Sequence, residues 1–183
     1  MARSLETVIT SLEMTARPAM RVPPPLGAVA VLLARDVPVS FFRYLYHEVG
    51  NDWHWVDRKR LTDAALADLL ARDDRQIFVL YMEGVPAGFA ELNWSGLPQT
   101  ADLSYFGLTA PYLGRKLGPF FLAQILDILW SRGPERVTVE TCTLDHPRAL
   151  SLYQQAGFVV TARREHRVDV PEDLPPPPYR VVP

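Results

Sequence analysis

Apolar residues along this chain switch between a period of two and a period of three to four, and the switches mark its elements. Val8, Ile9 and Leu12 in residues 7–14 predict either an added edge strand or a mobile arm, with the strand favoured. Residues 28–34 are a short apolar run between turn signals and predict a buried strand. Pro38 suits a helix start; Phe41, Phe42, Leu45 and Val49 follow at helical spacing, and Gly50 ends the run. Thr62 can cap a second helix that carries Leu66, Leu69 and Leu70. Residues 76–81 and 85–93 predict two strands joined by a tight turn at Glu83-Gly84. A strand over 103–109 comes next. A helix then presents Leu122, Ile125, Leu126 and Leu129 on one face and stops at Gly133-Pro134. Residues 136–141 are rich in β-branched side chains and predict a strand, 149–156 a short helix stopped by Gly157, and 158–167 a last strand. This order predicts an α/β sandwich around a mixed sheet.

Proline marks the borders. Residues 1–25 form an N-terminal strand or arm closed by Pro23–Pro25, residues 26–170 one domain, and residues 171–183 a proline-rich C-terminal tail. The 183 residues suit a single domain, and 48% hydrophobic content suffices for a core. The net charge of −2 leaves no bulk electrostatic footprint for nucleic acid. The lone cysteine, Cys142, excludes a disulfide framework and a multi-cysteine zinc site, and no two of His47, His54, His146 and His166 have i, i+4 spacing, so no metal is expected. No apolar run approaches about 18 residues, so no membrane span is expected. Residues 1–25 lack the apolar stretch of a secretory signal, so the expected compartment is cytoplasmic.

Two segments carry candidate chemistry. Gly114 and Gly118 flank the turn before the 122–130 helix, with Arg115 and Lys116 between them. A helix N-terminus offers unpaired N–H groups and a positive dipole end, so a pyrophosphate can dock there on the main chain. The second segment, residues 146–158, reads His146-x-x-Ala149-x-x-x-Tyr153-x-x-x-Gly157-Phe158. Upstream of both, Asp102 stands near the start of a strand, and Glu91 lies on the preceding strand. Either carboxylate can serve as a general base if it meets a desolvated cleft.

In this order and spacing, residues 28–167 resemble the GNAT superfamily of acyl-CoA-dependent N-acyltransferases. The resemblance implies a mixed, mostly antiparallel central sheet flanked by helices, with a splayed strand pair holding acyl-CoA. It implies acetyl-CoA as co-substrate, with the main chain of Phe106, Gly107 and Leu108 pairing with pantetheine and the Leu108 N–H stabilising the oxyanion. The superfamily's phosphate turn, Arg/Gln-x-x-Gly-x-Gly/Ala, falls on Leu113, Gly114, Arg115, Lys116, Leu117 and Gly118; Leu113 replaces the Arg/Gln, and Lys116 the central glycine. Tyr153 matches the tyrosine that protonates the departing thiolate. His146 stands where the superfamily has Asn, either as a pantetheine donor or as a helix-entry residue.

The segment from His47 to Arg58 is dense in aromatic and charged residues and lies where the resemblance puts the acceptor. Tyr44, Trp53 and Trp55 can form an aromatic wall for an organic amine or its ammonium form, and Arg58 can bind an acceptor carboxylate. One tryptophan filling a core edge is the competing reading. The expected activity is direct acetyl transfer from acetyl-CoA to a primary amine of a small molecule. Alternatives are an inactive acyl-CoA-binding or sensing module and a protein N-terminal or lysine acetyltransferase. A homodimer is left open.

Overall fold

The computed structural model describes residues 2–19 and 21–171. Among these residues seven strands and four α-helices follow one another: β1 (Ala2–Met14), β2 (Val29–Ala34), α1 (Val39–Gly50), α2 (Asp63–Leu70), β3 (Arg75–Met82), β4 (Val85–Asn93), β5 (Thr100–Leu108), α3 (Leu117–Trp130), β6 (Arg136–Cys142), α4 (Ala149–Gln155) and β7 (Val159–Pro171). They form one sheet in the order β2-β3-β4-β5-β6-β1-β7. Every neighbouring pair is antiparallel except β5 and β6, which run parallel. The proline-rich tail expected after Pro171 lies outside the described residues.

Side-chain alternation assigns the faces. Phe78, Leu80, Ala90, Leu92, Leu103, Val137 and Val139 share one core with Phe121, Leu122, Ile125, Leu126 and Leu129 of α3. Ile77, Val79 and Phe89 share the other with Phe42, Leu45 and Val49 of α1 and Leu66 of α2. The Thr62 hydroxyl accepts from the Ala65 N–H, the cap its sequence position promised. Glu83 and Gly84 both take positive φ, 50° and 80°, as a two-residue hairpin of this twist requires.

Three features depart from the sequence pattern. β1 is not an edge strand: it lies between β6 and β7 and pairs with both. Its period-two pattern predicted a strand but carries no information about neighbours, and β7 takes the edge instead. α3 starts at Leu117, so Gly118 and Pro119 lie inside its first turn. Proline is tolerated there because its missing N–H has no intrahelical partner. Finally, β5 carries an extra residue: Glu91 faces Tyr105 and Leu92 faces Leu103, leaving Ser104 as a bulge.

Candidate active site

The parallel ladder between β5 and β6 runs only from Thr100/Arg136 to Leu103/Val139, although β5 continues to Leu108 and β6 to Cys142. Beyond that point the strands separate and enclose a cleft of about 320 Å³. β5 is drawn toward β4 and α1 instead. A Cβ on Gly107 would stand 2.4 Å from Val49 Cγ1, and one on Gly88 would stand 2.4 Å from the Gly107 carbonyl oxygen. Only glycine permits both approaches.

Tyr153 reaches the cleft from α4 and is 5% exposed. Its ring packs edge-on against Phe158 at 5.8 Å and Phe106 at 6.3 Å. Burial, reinforced by the Asp145 charge, drives its phenol far above the ordinary tyrosine range. Tyr153 therefore stays protonated at neutral pH and has an O–H to donate. Cys142 also lines the cleft, and burial with the same charge pushes its thiol up to about 11. A thiol held so high is a poor nucleophile at neutral pH. Asp145 itself was not singled out from the sequence. Its Oδ2 accepts from the Thr141 hydroxyl and the Cys142 N–H, both at 2.8 Å, and its Oδ1 accepts from the Trp55 indole N–H at 3.1 Å.

The opposite wall comes from the segment after α1. The helix continues as a single 3-10 turn, Asn51–Trp53, and His54 then takes a left-handed backbone with φ 60°. Trp55 N–H bonds Gly50 C=O at 3.0 Å, and His54 N–H bonds Asn51 C=O at 3.3 Å. This is a Schellman C-cap with histidine where glycine is usual. It turns Trp55 back across the helix end, where a Cβ on Gly50 would stand 2.4 Å from Trp55 Cε3. The indole packs against Tyr105 at 5.0 Å and Tyr46 at 5.5 Å. Trp53 meets the His146 ring edge-on at 5.1 Å. The Tyr105 hydroxyl donates to Asp57 Oδ2 at 3.2 Å. Burial pushes Tyr46 up to about 12 and Tyr105 higher still, so both phenols are protonated. Tyr44 is outside the cleft, 44% exposed and stacked on Phe41.

The two expected bases do not line the cleft. Glu91 is 1% exposed and clamped by two guanidiniums: Arg58 bonds both its oxygens, at 2.6 and 3.3 Å, and Arg75 bonds Oε1 at 2.9 Å. Both oxygens of this carboxylate are taken up by arginine N–H groups, away from the cleft lining. Arg58 is committed to the same pair and does not line the cleft, so its expected role toward an acceptor carboxylate is corrected too. Asp102 lies where β5 and β6 still pair, accepting from Ser104 at 2.7 Å and Thr138 at 2.8 Å. Burial raises its carboxyl above the usual range. It reaches the cleft only through Ser104, which lines it. The carboxylates that do line the cleft are Asp57, Glu140 and Asp145, and no lysine or arginine joins them among the described residues. Glu140 is tied to Arg164 at 2.6 and 2.8 Å and to Ser11 at 2.7 Å.

Leu113 lines one end of the cleft, just before the turn into α3. Gly114 has φ 75°, and a Cβ there would meet nothing within 4 Å. Lys116, the residue before α3, holds φ 61°, the left-handed conformation that glycine would adopt without strain. Of the first four helix N–H donors, Pro119 supplies none, leaving Lys116, Leu117 and Gly118. Arg115 lies over the Tyr112 ring at 5.0 Å. This open, donor-rich turn fits a pyrophosphate. Of the other residues put forward from the sequence, Phe106, Gly107, Leu108, His146, Trp53 and Trp55 all reach the cleft.

Residues 42–158 match the model of the acetyltransferase (GNAT) family, and the chain belongs to that family. Acyl transfer is the chemistry this membership supports. No curated protein matches the sequence. Among solved structures, a GCN5-related N-acetyltransferase from Sphaerobacter thermophilus superposes with TM-score 0.65 at 15% identity, over 93% of this chain and 54% of that one. A GCN5-related N-acetyltransferase from Kribbella flavida gives 0.60 at 13%, over 90% and 58%. An aminoglycoside acetyltransferase from an uncultured soil metagenomic sample gives 0.58 at 14%, over 70% and 87%. At these identities the likeness is one of fold. The chain spans 62%, 54% and 66% of the length of the first three matched structures. Among the described residues, no helix is long and apolar enough to cross a membrane, and no His/Cys/Asp/Glu group is arranged to hold a metal ion.

Proposed function

We propose that this protein transfers an acetyl group from acetyl-CoA directly to a primary amine of a small molecule. One observation carries the reading: the gap between β5 and β6 holds a buried, protonated tyrosine on one side and an aromatic wall on the other. The turn at Gly114–Gly118 holds the pyrophosphate through the Lys116, Leu117 and Gly118 N–H groups. Main-chain groups of Phe106–Leu108, freed from the β6 ladder, take the pantetheine amides, and the Leu108 N–H faces the thioester oxygen. The amine nitrogen attacks the carbonyl carbon, the C–N bond forms and the C–S bond breaks. Tyr153 gives its proton to the leaving sulfur and recovers one from water. An acceptor that arrives as an ammonium ion gives one proton to cleft water before the attack, and its nitrogen gives a second as the amide forms. The cleft volume, its aromatic lining and its three carboxylates suit a small cationic amine.

The test is thermal melting with millimolar acetyl-CoA, followed by a thiol-release screen of amines. Ligand binding should raise the midpoint by mass action, and amines should release free thiol. Gly118→Glu should abolish the shift while the protein still folds. A Cβ there makes only an ordinary 3.6 Å contact with Leu152, and an acid in a first helical turn favours the helix. A midpoint unmoved by acetyl-CoA overturns the reading. A shift without thiol release from any amine leaves a binding module.

A further inference from the structure

The cleft has a second structural fact beside the missing ladder: its two walls are tied together across the gap. Trp55 belongs to the α1–α2 segment and is seated under β5, against Tyr46, Tyr105 and Phe89. Asp145 belongs to the turn between β6 and α4. Its Oδ2 fixes that turn through Thr141 and Cys142, and its Oδ1 crosses to the Trp55 indole at 3.1 Å. A second contact joins the same two segments, the edge-on packing of Trp53 on His146. α4 begins three residues later, with Ala149 N–H bonded to His146 C=O at 2.8 Å, and carries Tyr153.

We propose that Asp145 is a positioning residue that holds the Trp55 indole across the open end of the β5–β6 gap and so sets the distance between the amine and the Tyr153 hydroxyl. The proposal rests on the acetyl-transfer reading above. Its chemistry requires a carboxylate. Three donors converge on Asp145: the Trp55 indole N–H, the Cys142 N–H and the Thr141 hydroxyl. A hydroxyl can turn round and accept, but the two N–H groups cannot. Two carboxylate oxygens satisfy all three. Asparagine keeps one oxygen and sets its NH₂ against one of the N–H donors. The Cys142 N–H is fixed in the backbone, so the conflict falls on Trp55, and the tie across the cleft opens. The α1–α2 segment seated under β5 and the β6–α4 turn then lose the hydrogen bond that joins them.

The experiment is a double-mutant cycle on purified full-length protein, using acetyl-CoA and the best amine from the screen. Asp145→Asn should lower kcat/KM roughly 30-fold and Trp55→Phe roughly 10-fold, and the double variant should be no worse than about 30-fold, because each removes the same tie. The loss should lie in kcat and the amine KM, with the acetyl-CoA KM within about 2-fold of wild type. A role confined to stability moves the melting midpoint and leaves kcat unchanged. An additive cycle, about 300-fold for the double variant, shows that the two residues act separately and overturns the proposal while leaving acetyl transfer intact. A wild-type protein without turnover fells the parent reading and this proposal together. If Asp145→Asn does not fold, Trp55→Phe decides alone: a lower kcat at unchanged acetyl-CoA KM supports the tie, and an unchanged kcat overturns it.

Discussion

Replacing Glu91 by glutamine should cost this protein about 3–5 kcal/mol, the range for removing one partner of a buried ion pair. The structure supplies the conditions for that magnitude. Glu91 is 1% exposed, and the side chains of Arg58 and Arg75 are 18% and 17% exposed. Both guanidiniums bond the same oxygen, Oε1, at 2.6 and 2.9 Å. Glutamine preserves the shape but removes the charge and turns one acceptor into a donor that faces an arginine N–H. Two cations then remain in a poorly hydrated space, with Arg75 still linked to Asp102 through Ser104. Among the described residues the buried Arg75 Nε already has no hydrogen-bond partner. For a chain of 183 residues, about 2–4 °C per kcal/mol translates the loss into a midpoint lower by roughly 6–20 °C. The assay is urea and thermal unfolding of wild type, Glu91→Gln, Arg75→Gln and the double variant. The double variant should recover part of the Glu91→Gln loss, because charge balance returns. Activity per folded molecule, measured well below the midpoint, should stay within about 3-fold of wild type, whereas loss of a true general base costs about 10²- to 10⁴-fold. A Glu91→Gln protein within about 1 kcal/mol of wild type would refute the reasoning, since that is the cost of an exposed pair.

Three further outcomes can be measured. Tyr153→Phe should lower kcat about 10- to 1,000-fold with acetyl-CoA affinity nearly unchanged, read from steady-state kinetics; full turnover would mean that another group protonates the sulfur. Burial raises the Asp102 carboxyl above its unfolded value, so its contribution to stability is fully present below the unfolded pKa and is lost as pH rises through the folded one. Asp102→Asn should therefore gain on wild type in urea melts as pH rises above the ordinary carboxylate range, and its rate profile should keep wild-type shape; a flattened acidic limb would restore Asp102 as the base through Ser104. Gly107→Ala should cost about 1–3 kcal/mol by overpacking Val49, and Val49→Ala in the same chain should return most of it. An additive pair in the melts would show that β5 is not pressed against α1.

The elements of this fold were legible because each is written in local spacing. The 3.6-residue stripe of Phe42, Leu45 and Val49 and the alternation through Ile77 and Val79 need no knowledge of neighbours. The Tyr153 helix was legible for the same reason, being a fixed pattern over thirteen residues from His146 to Phe158. The placement of β1 was not. Thr7 and Ile9 reach the cleft only because β1 pairs with Cys142 on one side and with Arg164 and His166 on the other, across more than a hundred residues of chain. Nothing in an alternating pattern says whether a strand ends at an edge or between two others. The left-handed turn at His54 was hidden too, because the usual glycine of that cap is absent.

The candidate bases show where residue-by-residue reading stops. Glu91 and Asp102 were put forward as carboxylates beside a cleft, and type and strand position support that for both. What decides their chemistry is the partner. Arg58 lies 33 residues before Glu91 in sequence and Arg75 16 before it, and only the folded sheet brings both guanidiniums onto one oxygen. Asp145 is the converse case. In sequence it is an acid beside a proline turn, yet the fold sets the Trp55 indole against it from 90 residues away. A carboxylate flanked by guanidiniums is committed to an ion pair, whereas one that accepts three neutral donors ties the end of β6 to the segment that carries Trp55. The same side-chain chemistry thus meets two guanidiniums at Glu91 and three neutral donors at Asp145. The difference lies in contacts made at a distance in sequence, which is why Tyr153, carried by a local pattern, was easier to find than Asp145, whose partner lies 90 residues away.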